Sequence, residues 1–331
     1  MYNESLKNRF LNIYSDDTAK IYKYSLLQIS ESEEFYKKDI FDFNYDQLDN
    51  AFKSIRSKTM SGVRRNVSPI LEYIRWANKN GFVKSKIDIT NLFMGDKLKD
   101  YVWKHAHINS YIYREEMYVI CEQLINPIDR AIIVLAFEGI DGKGHFEMIN
   151  LKYSDIDFQT GKVHVANEKG DIREIVITYK KSLDILKEAQ KQNTYLIGNG
   201  EANRSKRTEF ELTDTPYIIR KINRPNTSKN NELVSSGFIA SKATKFFKGK
   251  RDVVTGEFVE IPFVGDCEFL NLQNIFKSGY FDYCMNLENE KGELKTQDYK
   301  DICIRFGINP NNIQSYKAQY LDWKKILSER D

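Results

Sequence analysis

The chain has 331 residues, enough for two domains with separate cores, and its 41% hydrophobic and 13% aromatic content excludes wholesale disorder. Its longest apolar run, AIIVLAF at 131–137, is far too short to cross a bilayer, and the opening MYNESLKNRF lacks the apolar centre of a signal peptide. The net charge of +3 hides a segregation: residues 53–87 carry nine Lys/Arg against one acid, residues 204–251 carry twelve against four, and the remainder holds −13. One such segment reads as a solvated face, but two point to a polyphosphate partner.

From Asp16 to about Met94 apolar residues recur at helical spacing in TAKIYKYSLLQI, DQLDNAFKSI and GVRRNVSPILEYIRWANKNG, which predicts three helices. Asp16 and Asp17 offer N-cap chemistry to the first, and Asn80-Gly81 terminates the third. Residues 95–111 have little pattern and read as a linker. Tyr113 opens the amphipathic YREEMYVICEQLI, and PIDRAIIVLAFEG follows with the apolar density of a buried helix. At Asp155 the period changes to two, so KVHVA and REIVITY predict a hairpin turning near Lys169-Gly170. Helix returns at SLDILKEAQKQ, whereas 199–231 is polar, basic and without a readable period. A helix near FIASKATKFFKGK and a hairpin around Thr255-Gly256 come next. Helices at FLNLQNIFKSGYFDYCMNL, TQDYKDICIRFG and NNIQSYKAQYLDWKKILSE complete the chain, and no fixed-period repeat appears.

Individual residues narrow the chemistry. Gly139, Gly142 and Gly144 give GxxGxG rather than a dinucleotide fingerprint, and GKG is followed by His145 instead of Ser or Thr, which excludes a P-loop. Positive-φ turns are the default reading of these glycines. His105 and His107 lack further His or Cys ligands nearby, and His145 and His164 read as surface or satisfied core residues. Cys121, Cys267, Cys284 and Cys303 have no CxxC spacing and read as reduced thiols of a cytosolic, cytoplasmic protein. No metal and no cofactor is expected.

The order of these parts resembles that of tyrosine recombinases, the phage integrase family. TAKIYKYSLLQ with RRNVSPILEYIRWANKNGFV is similar to the family's core-binding domain, and YREEMYVICEQL to the first helix of its catalytic domain. EMINLKYSDIDFQTGKVHVANEKGDIREIVIT resembles the E-x-x-x-L-x-W-x-D-I-D strand entry and the lysine-bearing hairpin. The resemblance implies a mainly α fold with a small β-hairpin sheet. It places a helical, SAM-like core-binding domain at 1–108 and an α+β catalytic-like domain at 109–331. The two would clamp a duplex from opposite faces.

In that family a tyrosine attacks a DNA phosphodiester while Arg, Lys, His and Arg stabilise the charge that develops. Most of the corresponding positions hold other residues. Three residues before Glu147 the chain has Gly144, with Lys143 the nearest cation, while the hairpin lysine is kept as Lys169. The H-x-L-R-H motif is replaced by Leu270, Gln273 and Asn274, and the third His/Trp by Ile308. Tyr320, with Tyr316 nearby, stands as a vestigial nucleophile. The resemblance therefore implies a catalytically inactive recombinase fold acting as a sequence-specific, double-stranded DNA-binding repressor of prophage lysogeny.

Its expected DNA contacts are Arg56, Lys58, Arg64 and Arg65 beside Tyr73 and Trp76, then Lys169 at the hairpin tip. Arg204, Lys206, Arg207, Arg220, Lys221 and Arg224 follow, then Lys242, Lys245 and Lys248 on a helix resembling the family's major-groove helix. A regulatory phage or host protein is admitted as a second partner. Two alternatives stand: an active or accessory recombinase cutting through Tyr320, with Lys143 or Arg305 replacing the lost arginine, and a protein-interaction module that does not touch DNA. The amphipathic tail YKAQYLDWKKILSER would dock on its own domain or on a neighbour.

Overall fold

The computed structural model describes residues 1–83, 88–200, 208–223, 232–251, 258–265 and 267–327. The chain divides into two compact units, Met1–His107 and Ile108–Asp331.

The first unit is helical: α1 (Glu4–Leu11), α2 (Asp16–Gln28), α3 (Ser30–Tyr36), α4 (Tyr45–Ser54) and α5 (Met60–Lys79). Helix α5 is its axis, because Val63, Val67, Ile70, Ile74 and Ala77 return every three or four residues and are all buried. Phe10 of α1 packs edge-on to Tyr73 at 5.2 Å and lies 5.6 Å from Trp76. Helix α1 lies outside the predicted set. Its pattern is interrupted by Lys7, which is fully buried and paired with buried Glu33 of α3. Helix α4 begins in a capping box in which Asn44 and Gln47 exchange side-chain and backbone bonds.

The expected linker at 95–111 begins as something else. Gly95–Tyr101 is a 3-10 helix, and Leu98 and Tyr101 are buried in the first unit's core. Their spacing of three is the 3-10 period, which a search for α-helical spacing passes over. Helix α6 (Lys104–Ile108) lies at the boundary between the units.

The second unit contains α7 (Arg114–Gln123), α8 (Pro127–Phe137), α9 (Phe146–Asn150), β1 (Lys162–Ala166), β2 (Ile172–Val176) and α10 (Lys180–Lys191). There follow β3 (Thr194–Leu196), β4 (Glu209–Glu211), α11 (Ser236–Phe247), β5 (Lys250–Arg251), β6 (Phe258–Glu260), α12 (Leu272–Lys291), α13 (Thr296–Arg305) and α14 (Ile313–Leu327). The strands form three two-stranded antiparallel sheets, β1–β2, β3–β4 and β5–β6. The hairpin predicted from KVHVA and REIVITY is present over 162–176, with His164 opposite Glu174, whereas β3–β4 lies partly in the stretch that had no readable period. The expected turn at Thr255-Gly256 lies outside the described residues.

Helix α8 is the hub, with every residue from Ala131 to Phe137 fully buried. Helices α7, α10 and α12 pack around it. A second, aromatic cluster joins α12, α13 and α14 through Tyr280, Phe281, Phe306, Tyr320 and Trp323. The ring of Trp323 stacks on Phe281 at 5.2 Å, so the amphipathic tail docks on its own unit.

Candidate nucleic-acid interface

In the first unit, the turn into α5 presents the basic residues. Thr59 caps the helix by accepting the Gly62 N–H at 3.1 Å, and the first turn contains no acid. Because α5 buries its Val63/Val67/Ile70 face, Arg64 and Arg65 are left exposed, and no ion pair holds either among the described residues. Arg56 and Lys58 are exposed just upstream, with the Arg56 guanidinium 5.5 Å from the Trp103 ring centre. Tyr73 and Trp76 belong to the core instead of flanking these arginines. Arg75 is half-buried and has partners of its own, bonding Thr90 at 3.0 Å and pairing with Glu72 at 3.5 Å.

In the second unit, α11 carries the clearest arrangement. Ser235 caps it, accepting from Phe238 N at 3.2 Å, and Ile239, Phe246 and Phe247 face the core. Gly237, Ala240, Ser241, Thr244, Lys245 and Lys248 are exposed in or just past this helix at steps of three and four residues, so they form one stripe. The stripe has small and hydroxyl residues toward its N-terminus and two ammonium groups toward its C-terminus. Lys169 is exposed at the β1–β2 tip, where Asn167 Oδ1 accepts the backbone N–H groups of Lys169 and Asp171.

Two expected contacts are removed from the surface. Lys242 lies on the inner side of α11, bonded to the Tyr195 hydroxyl and 3.0 Å from the fully buried Asp129 of α8. An unpaired carboxylate inside α8 would be costly, so the lysine serves as its counter-ion. Arg220 is buried too, its guanidinium donating to the carbonyls of Ala189 and Gln190 at 2.8 and 3.2 Å and to that of Gln192. These are carbonyls at the C-terminal end of α10, which a cation suits. Lys221 is half-buried. Arg204, Lys206, Arg207 and Arg224 lie outside the described residues.

Two of the positions set against the recombinase pattern, Leu270 and Gln273, line a pocket of about 240 Å³. It is lined by His145, by Thr244 and Lys248 on the α11 side, and by Leu270, Asn271 and Gln273 at the start of α12. Gly144, beside His145, has a positive φ of 62° and is exposed. Leu270 is buried, Gln273 is exposed, and Asn274 is spent on local bonds to Asn271 and Phe269. Ile308 and Tyr320 belong to the aromatic cluster instead. The Tyr320 hydroxyl is buried and donates to Glu288 at 2.6 Å, and burial together with that carboxylate raises its pKa. Lys143 is exposed, while Arg305 pairs with the buried Glu138 at 3.2 Å and is not among the residues that line the pocket.

Sequence reasoning missed a buried carboxylate–arginine set in this unit. Arg114 bonds Glu138 at 2.6 Å and Asp282 at 2.8 Å; Arg173 bonds Glu147 at 2.6 Å and the Gly139 carbonyl at 2.9 Å. Burial raises the Glu147 pKa, against the opposing pull of Arg173. These pairs tie the 138–147 loop to α7, α12 and β2. Their partners are up to 168 residues apart, so no local spacing announces them.

Residues 1–79 match the family described as "MrpR, N-terminal core-binding domain", and residues 111–329 match "MrpR, C-terminal catalytic domain". The chain belongs to the MrpR family. A Bacillus subtilis (strain 168) relative, the SPbeta prophage-derived uncharacterized protein YopR, is 24% identical over 323 residues, covering 97% of this chain and 92% of its own. Among solved structures, a lambda integrase dimer bound to a COC' core site aligns at TM-score 0.43 and 14% identity, over 95% of this chain and 76% of that one. The XerA recombinase aligns at TM-score 0.35 and 13% identity over 96% and 98%. The chain thus has the two-domain order expected from its sequence, a core-binding domain followed by a domain of the family's catalytic type, and it is mainly helical with small antiparallel sheets. Among the described residues, no helix is long and apolar enough to cross a membrane.

Proposed function

We propose that this protein is a sequence-specific double-stranded DNA-binding repressor on a recombinase fold that does not cut DNA. In this reading it keeps a prophage silent, as a master repressor of lysogeny of the SPβ kind. The observation that carries the proposal is the exposed α11 stripe of Gly237, Ala240, Ser241, Thr244, Lys245 and Lys248. A 12-residue helix spans about 18 Å, and the ~12 Å major groove admits such a helix when its outer face is slim. Serine and threonine hydroxyls reach either base edges or phosphates, and the terminal lysines suit the flanking backbone. Arg56, Lys58, Arg64 and Arg65 on the first unit, with Lys169 on the second, supply further phosphate contacts.

Phosphoryl transfer needs cations aimed at the developing negative charge, and loss of one such donor typically costs about 10²–10³ in rate. Gly144, Leu270, Gln273 and Asn274 offer no cation where the recombinase pattern has them. Tyr320 has its hydroxyl committed to Glu288 inside an aromatic cluster. The prophage origin of the Bacillus relative supports a phage setting.

Gel-shift titrations on DNA flanking the protein's own gene test the reading. Tight binding at a discrete footprint, weakening steeply with salt, is expected. Equal binding to every duplex, or to none, sinks it. A nicked suicide substrate is expected to trap no covalent adduct; an adduct lost in Tyr320→Phe would establish an active recombinase.

A further inference from the structure

The pocket beside Gly144 has kept a cationic lining by a different route. His145 adopts a left-handed backbone, φ 65°, uncommon outside glycine though more frequent for histidine than for most residues, and it lines the pocket. Its Nδ1 bonds Asp141 Oδ1 at 2.6 Å, and that carboxylate holds the imidazole pKa above its usual value. The bond occupies Nδ1 and leaves Nε2 as the ring atom available to the pocket. Thr244, Lys248, Asn271 and Gln273 line the same space; the Thr244 hydroxyl donates to the Ala240 carbonyl at 3.0 Å, and Asn271 Oδ1 accepts the Asn274 N–H. The charged groups around the ring are Asp141 and Lys143 on its own loop, Glu147 of α9 and Lys248 beyond α11. Glu147 is bound to Arg173, and α12 contributes no charge to the lining. About 240 Å³ equals roughly eight waters at ~30 Å³ each, room for a phosphate group and part of its hydration.

We infer that this pocket seats one DNA backbone phosphate, with His145 as a proton-dependent cation opposite Lys248, so that DNA affinity is coupled to pH. The inference rests on the DNA-binding reading and deepens it. Thr244 and Lys248 belong both to the exposed α11 stripe and to the pocket wall, so a duplex lying along the stripe brings its backbone to this opening. A phosphate favours the imidazolium, so affinity is greatest below the His145 pKa and falls as pH rises through it.

Two measurements separate the pocket from the operator. The chain has four histidines, and His145→Asn, which tolerates a left-handed backbone, assigns the His145 resonance by its disappearance. The His145 titration midpoint in inorganic phosphate is expected above that in chloride at equal ionic strength, and Lys248→Ala should reduce the difference. Equal midpoints in the two salts overturn the inference, whatever DNA does. On an operator duplex, wild-type affinity should fall about tenfold from pH 6 to pH 8, as for one charge-assisted contact. The His145→Asn protein should bind with that weaker affinity at both pH values. Its salt slope at pH 6 should be smaller by about 0.9. A variant that keeps the wild-type pH dependence and slope also overturns the inference. Failure of the wild type to select any site counts against the repressor reading, and the phosphate titration still decides the pocket.

Discussion

A methyl group on Gly279 would lie 1.6 Å from the Phe137 carbonyl oxygen, so α12 meets α8 at a point where only glycine fits. Gly279→Ala must push the two helices apart at the hub of the second unit. A loss of about 1–3 kcal/mol or more is expected, read as a lower midpoint in denaturant unfolding. Lys7 and Glu33 place a comparable demand on the first unit. Burial, opposed by Lys7, raises the Glu33 pKa to about 7. The folded carboxyl thus holds its proton more tightly than the unfolded one, and its contribution to stability falls as pH rises from the usual carboxylate range to about 7. Lys7→Met leaves Glu33 without its counter-ion. The loss of Lys7 raises the Glu33 pKa further, so the cost to the first unit should be small near pH 5, where the carboxyl is protonated in both proteins, and grow as pH rises above about 7 toward ~3–5 kcal/mol. A deficit independent of pH would contradict the assignment.

At the scale of the element, α11 shows how one basic helix divides its lysines. Lys245 lies on the outer stripe, and Lys242 three residues earlier is inside on Asp129. Lys245→Ala should leave the unfolding curve in place while weakening DNA binding and reducing the salt slope by about 0.9. Lys242→Ala should do the reverse in kind, lowering stability by about 3–5 kcal/mol because it strands a buried carboxylate. Equal effects of the two on stability would mean that the helix faces are wrongly assigned. Helix positions of this sort were legible in the sequence from their apolar period. Which lysine belongs to which face depends on Asp129, a residue of α8 that local spacing does not reach.

For the whole molecule, each unit carries its own core: α5 and its neighbours in the first, α8 and the aromatic cluster in the second. A fragment of residues 1–107 should therefore fold alone, with helical circular dichroism and cooperative unfolding; an unfolded fragment would refute the self-sufficiency of that core. Chain order and apolar period were enough to expect the helical half, the 162–176 hairpin and the recombinase-like sequence of parts, because these are set by near neighbours. So was the concentration of positive charge in two segments. The surface basicity of those segments was a different matter. Arg220 and Lys242 are counted among the cations by sequence, yet helix-end carbonyls and a buried aspartate draw them inward. The pocket of His145, Lys248 and Gln273 likewise exists only once loops and helices more than a hundred residues apart are packed together. Sequence alone determined the local elements, since hydrophobic period and turn chemistry act over a few residues. Tertiary structure decided which charges meet solvent, because a buried charge is tolerable only beside a partner that folding brings to it.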